Sequence, residues 1–296
     1  MCASKMHADE VDIDEALVRR LLAGQFPQWA ELPIVPVASA GTVNAIYRLG
    51  DDMVVRLPRV QRYARDLQKE YDWLPKLAPH LPLAVPQPLA IGDPGEGYAW
   101  RWCVYRWLTG EVWSADSVRD RCEAAADLAR FITALRRVDT TDAPRRPVGY
   151  ETLALHDYVR PAIVAAAGMI DVDAVHAAWD AALELPAWNG PPVWVHGDLS
   201  RPGNLLAEAG RLSAVIDFGS IGLGDPAREL MAAWTLFSGE SRDVFRRALS
   251  VDDPTWARGR AWTLTRVMNV AYYAETNPVI VAEARHAIEE VLADPG

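Results

Sequence analysis

Three observations predict an α+β fold in two lobes, a small front lobe built on an antiparallel sheet and a larger, mainly helical back lobe. Short apolar runs separated by turn residues cluster before residue 107. Beyond about residue 115 the pattern changes to Ala- and Leu-rich stretches with helical spacing. The chain has 296 residues, half of them apolar, which is enough to bury a core in each of two lobes, 1–107 and 108–296.

The segment "DIDEALVRRLLAGQF" reads as an amphipathic helix. Asp12 and Glu15 have capping-box spacing, Leu17, Val18, Leu21 and Leu22 share a face, and Gly24 suits the end. Three strands follow, "IVPVA", "NAIYRL" and "MVVRLP", joined by "SAGTV" and by a Gly50-Asp51-Asp52 turn, which makes an antiparallel meander. Residues 61–74 return to helical spacing through Leu67, Tyr71 and Leu74, with Pro75 as the expected stop. After a Pro-rich stretch, "YAWRWCVYRWL" reads as a strand pair leading into Thr109-Gly110. In the back lobe "EAAADLARFITALRRV" carries the stripe Leu128, Phe131, Ile132 and Leu135. Two apolar runs, "VWV" before Asp198 and "AVI" before Asp217, interrupt the helices and read as a small hairpin, with "GNLL" and Gly210 between them.

Composition narrows the classes of partner. A net charge of −10 without a clustered basic face argues against nucleic acid and mildly favours a cationic substrate. No apolar run is long enough for a membrane span, and "MCASKMHADEVDIDE" lacks a secretory signal's apolar stretch, so a cytoplasmic protein with no membrane partner is expected. Cys2, Cys103 and Cys122 are odd in number and lack metal-ligand spacing, which fits free thiols. Oligomeric state is not encoded in any of these features.

Asp198 and Asp217 stand at the ends of the two apolar runs, 19 positions apart. Phosphoryl transfer uses such a pair. One Asp orients or deprotonates the attacking hydroxyl, while an Asn and a second Asp hold Mg²⁺ against the phosphates. The candidates are Asp198 as base and Asn204 and Asp217 as metal ligands.

"VHGDLSRPGNLL" followed by "AVIDFGSIGLGDPARELMAAW" resembles the aminoglycoside phosphotransferase family, antibiotic and small-molecule kinases with a protein-kinase-like fold. The resemblance spans nearly the whole chain and implies the same three roles. It also implies that His196 braces the loop and that Asp225 stabilises it, the plainer expectation for Asp225 being an N-cap of the helix near Pro226. The front lobe would bind ATP or GTP. Ser39, Gly41 and Thr42 stand where the phosphate-covering loop belongs. Arg56 stands where the family carries a lysine for the phosphates, with Glu70 as its expected partner; otherwise Glu70 is a surface carboxylate beside Lys69 or Arg65. Tyr105 to Trp107 lie on the segment whose backbone meets the nucleotide base.

Two departures are visible: Arg56 replaces the lysine, and Asn204 lies six positions after Asp198 instead of five, with Arg201 the simplest extra residue. Either the loop bulges at Gly203, which permits unusual backbone angles, and keeps Asn204 on the metal, or it swings Asn204 out of reach. The implied activity is transfer of a γ-phosphate to a hydroxyl of an antibiotic-like acceptor such as a cationic aminoglycoside. The alternatives are a kinase of choline, homoserine or amino-sugar type, or a nucleotide-binding module without turnover. Glu240, Trp262, Tyr272, Tyr273 and Glu275 are candidate acceptor walls.

Overall fold

The computed structural model describes residues 10–37, 44–114, 116–145 and 155–294. The chain divides into two compact units, 1–111 with 213–219, and 112–212 with 220–296.

In the first unit five strands form one antiparallel sheet: Ile34–Pro36 (β1), Asn44–Leu49 (β2), Met53–Pro58 (β3), Pro88–Gly92 (β4) and Trp102–Arg106 (β5), in the order β1-β2-β3-β5-β4. The β2–β3 turn uses Gly50 at φ +57°, where a side chain would strain the backbone. The aromatic run supplies only one strand. Its neighbour β4 comes from the Pro-rich stretch, because Pro88 opens an edge strand, where a missing N–H is tolerated.

Helix α1, Glu15–Gln25, lays Leu17, Val18, Leu21 and Leu22 against Ala45, Tyr47, Leu49, Val55, Leu57 and Trp102 of the sheet. Each fully buried aliphatic side chain contributes roughly 1.5–3 kcal/mol relative to exposure. Asp14, not Asp12, caps the helix, accepting from the Leu17 amide at 2.7 Å, since the first turn begins at Glu15. Gly24 lies inside α1; the Phe26 amide closes the end on the Leu22 carbonyl.

Residues 61–77 form two helices, Gln61–Ala64 (α2) and Asp66–Leu77 (α3). Pro75 does not stop α3. It sits in the last turn, where its absent N–H costs one hydrogen bond and the Ala78 amide still reaches Leu74 O. The inward face of α3 carries Leu67, Glu70, Leu74 and Leu77, so a carboxylate is buried among leucines.

The second unit is mainly helical: Arg121–Arg136 (α4), His156–Ala165 (α5), Val172–Leu183 (α6), Ala232–Thr235 (α7), Gly239–Leu249 (α8), Asp253–Leu264 (α9), Val267–Tyr273 (α10) and Pro278–Ala293 (α11). The predicted stripe of α4 is fully buried. The short strands after β5 are Glu111–Val112 (β6), whose first residue still belongs to the first unit, Val193–Val195 (β7), Leu205–Glu208 (β8), Arg211–Val215 (β9) and Gly222–Gly224 (β10). "VWV" and "AVI" do not pair with each other. Strand β7 pairs antiparallel with β10, and β9 pairs with β8 across Ala209 and Gly210, both at positive φ. A two-residue turn of that handedness selects the nearest run, "LLAE", as partner.

Strand β9 begins in the second unit, and its last three residues belong to the first. There the Ala84 amide donates to Ser213 O at 3.1 Å and the Val215 amide to Ala84 O at 2.9 Å. Among the described residues no helix is long and apolar enough to cross a membrane.

Candidate active site

The loop from His196 to Asn204 follows directly from β7. His196 is buried, and its Nδ1 accepts from the Asp198 amide at 3.2 Å, the bracing role expected of it. Gly197 turns the chain at φ +85°, which favours glycine. Its amide donates to Glu229 Oε1 at 2.8 Å, and its carbonyl accepts from Arg228 Nε at 3.2 Å. Both partners come from the 3₁₀ turn Pro226–Met231. Asp225 caps that turn through the Ala227 amide at 2.9 Å and pairs with Arg258 Nε at 2.9 Å. The plainer expectation for Asp225 therefore holds, and its support of the loop is indirect, through Glu229 and Arg228.

The extra residue does not displace Asn204. Its Nδ2 donates to Asp198 O at 2.9 Å and to Asp198 Oδ2 at 3.1 Å. Accommodation comes from a 3₁₀ turn, Pro202–Asn204, entered by a bond from the Arg201 amide to Asp198 O at 3.4 Å. Gly203 keeps an ordinary φ, so no glycine-specific conformation is involved. Arg201 Nε lies 3.3 Å from Asp198 Oδ2. Behind the loop, buried Arg266 donates through Nη2 to Ser200 Oγ. Burial pulls its guanidinium down to about 10, the charge of Asp198 opposing. Burial pushes Glu283 up, with Arg266 and Arg201 opposing.

Asp217 belongs to the first unit, just past β9, at φ +63°. Its Oδ1 accepts from Arg56 Nη2 at 2.9 Å, while Arg56 Nη1 donates to Glu70 Oε2 at 2.6 Å. The Asn44 amide, turned to match its donors, accepts from Arg56 Nε at 2.9 Å and Nη2 at 3.0 Å. Burial works against the Arg56 charge, but Glu70 and then Asp217 outweigh it and hold the guanidinium above its usual range. Burial raises Glu70, with Arg56 opposing. The Arg56–Glu70 pairing expected from sequence is thus present. Lys69 instead reaches Gly219 O at 2.7 Å and Asp66 at 3.2 Å. A planar guanidinium can bind two carboxylates at once, which a lysine's single ammonium does less rigidly.

Ser39, Gly41 and Thr42 lie outside the described residues. Tyr105 is buried in the sheet, its phenol raised well above the usual range by burial and then by Glu70. Trp107 packs under the Arg48 guanidinium, 4.1 Å from the ring centroid, and its amide donates to Asp52 O at 2.7 Å.

In the second unit Trp262 is a core residue, with Arg228 4.6 Å from its ring centroid, and Tyr273 is buried. Tyr272, Glu240 and Glu275 are exposed. A cavity of about 310 Å³ opens beside Pro202, lined also by Trp113, Arg121, Phe237, Glu283 and His286. Cys103 is buried and Cys122 partly so, both as free thiols.

Sequence reading missed Glu229, Arg228 and Arg266. A carboxylate at Glu229 amid Ala227, Leu230 and Met231 was the available signal, since a charge on an apolar face needs a partner.

The model of the phosphotransferase enzyme family matches residues 34–262. The chain belongs to that family. The GDP and kanamycin complex of APH(2")-IIia shares the fold of this phosphotransferase at TM-score 0.73 and 19% identity, covering 94% of this chain and 99% of that one. The ADP-bound aminoglycoside phosphotransferase APH(2'')-Ib matches at TM-score 0.61 and 15% identity, over 95% and 99% of the two chains. The macrolide 2'-phosphotransferase MphH from Brachybacterium faecium, solved as apoenzyme, matches at 0.60 and 22%, over 96% and 99%. No curated protein sequence matches. The expected α+β, protein-kinase-like fold is the one these enzymes share.

Proposed function

We propose that this phosphotransferase moves the γ-phosphoryl group of ATP or GTP to a hydroxyl of a small antibiotic-like acceptor. The observation that carries the reading is the hold of Asn204 on Asp198, kept despite the longer loop. With Oδ2 engaged, Asp198 offers Oδ1 to an incoming hydroxyl as general base. Catalysis of this kind rests on positioning and charge stabilisation, with little covalent work for the protein. The relatives supply the chemistry of the substrates: one binds GDP with kanamycin, one binds ADP, and one is a macrolide kinase by name.

Two residues fit a hard divalent cation by donor type. Asn204 uses its Nδ2 on Asp198 and keeps its amide oxygen as a donor. Asp217 gives one oxygen to Arg56 and keeps the other. Oxygen donors of this kind suit Mg²⁺, which when bound neutralises charge on the phosphate oxygens. The acceptor is assigned to the cavity beside Pro202 in the helical unit.

The direct test is nucleoside diphosphate release from Mg-ATP or Mg-GTP with a panel of aminoglycosides, macrolides, peptide antibiotics and amino alcohols. Acceptor-stimulated release is expected. Nucleotide binding with no stimulation by any acceptor would reduce the protein to a binding module. Replacing Asp217 by Ala is expected to weaken Mg-nucleotide binding, and unchanged metal dependence in that variant would remove Asp217 from the metal.

A further inference from the structure

Rotation about the last side-chain bond of an aspartate is soft, so a base is well aimed only if one of its oxygens is tied. In this loop a single oxygen, Asp198 Oδ2, accepts a hydrogen bond from Asn204 Nδ2 at 3.1 Å and has the Arg201 guanidinium beside it as an ion pair, Nε at 3.3 Å. Oδ1 has no hydrogen-bond partner among the described residues. The Arg201 backbone is fixed on both sides, its amide on Asp198 O and its carbonyl under the Asn204 amide at 3.0 Å. The preceding Ser200 is tied by buried Arg266.

The Arg201 and Asp198 side chains are 30% and 26% exposed, a setting in which an ion pair adds little to folding stability. The contact therefore does its work in geometry. We propose that Arg201 is a positioning residue for phosphoryl transfer: with Asn204 it clamps Oδ2 of Asp198 and so aims Oδ1 at the acceptor hydroxyl. The inference rests on the reading of Asp198 as base. It gives the loop between Asp198 and Asn204 a cation of its own at the base.

The experiment compares wild type, R201A, R201K, R201Q and a deletion of Arg201. It uses Mg-ATP or Mg-GTP with the acceptor found by screening, or water as acceptor in the slow hydrolysis assay. Misplacing a reacting group by about an ångström costs on the order of 10²-fold in rate. R201A is accordingly expected to lose roughly that factor in kcat while its KM for nucleotide stays within about two-fold. Millimolar guanidinium should restore part of the lost turnover to R201A, and R201K should retain more than R201Q. A purely structural role would not respond to added guanidinium.

Wild-type kcat in R201A or in the deletion would overturn the proposal. So would a loss confined to nucleotide KM, which would move Arg201 to the phosphates. Should R201A fold poorly, as judged by its nucleotide-dependent thermal shift, the comparison of R201K with R201Q carries the test, and equal turnover in these two overturns the proposal. A wild type no faster than D198N removes the base itself and Arg201 with it. An active wild type with an indifferent R201A removes Arg201 alone.

Discussion

Asp217 meets an arginine 161 residues away in sequence, whereas Asp198 meets one three residues along its own loop. Arg56 is held on a sheet strand between Glu70, Asn44 and Asp217, with Glu70 only 1% exposed. Arg201 is partly exposed and meets Asp198 within a single turn. The two carboxylates are therefore set by different levels of structure. One depends on the assembled first unit and the other on local loop geometry, so substitutions around Asp217 should register mainly as stability and substitutions around Asp198 mainly as rate.

The largest effect expected tests the local side: Asp198→Ala should lower kcat by about 10²–10⁴ with little change in nucleotide affinity, read by steady-state kinetics and nucleotide titration. Next is Glu70→Ala, which strips Arg56 of its shortest partner. Breaking a buried pair costs about 3–5 kcal/mol, and the lower end applies because Asp217 and Asn44 remain. Denaturant unfolding measures it, and an unchanged midpoint would erase the contrast between the two sites.

A smaller effect sharpens the comparison from the other direction. Glu229→Ala leaves the buried Gly197 amide without its acceptor and should cost about 1–3 kcal/mol while also lowering turnover, because it touches the loop from a distant segment. A stability loss with full turnover would show that the loop keeps its geometry without that anchor. Smallest is Asp14→Ala, the loss of the α1 cap, at about 1 kcal/mol with kcat unchanged. This variant calibrates what a stability change remote from both aspartates does to rate.

Much of this arrangement was legible in the sequence where the signal was periodic or paired. The meander strands and the α1 stripe rest on side-chain alternation and helical periodicity, and the Arg56–Glu70 pairing was implied by the family resemblance. Reading failed where local signals competed with tertiary partners. Pro75 looked like a stop but falls in a last turn that tolerates it. "VWV" and "AVI" looked like mutual partners because their distant and nearer pairings carry no distinguishing pattern except the handedness of the Ala209-Gly210 turn. Gly203 looked like the hinge of the longer loop, yet a 3₁₀ turn absorbed the extra residue with ordinary backbone angles. Glu229 and Arg228 were missed because their purpose, fixing Gly197, exists only once two distant segments meet.

Residues 213–219 complete the first unit although the chain reaches them only after building most of the strands and the loop of the second. During synthesis the front sheet can form early, but Arg56 and Glu70 must wait for Asp217 to emerge before their network closes. A fragment ending at residue 111 would lack the Ala84 pairings and the second carboxylate on Arg56. The first unit is therefore not a portable module: its last piece is delivered late, after the stretch of chain that carries Asp198.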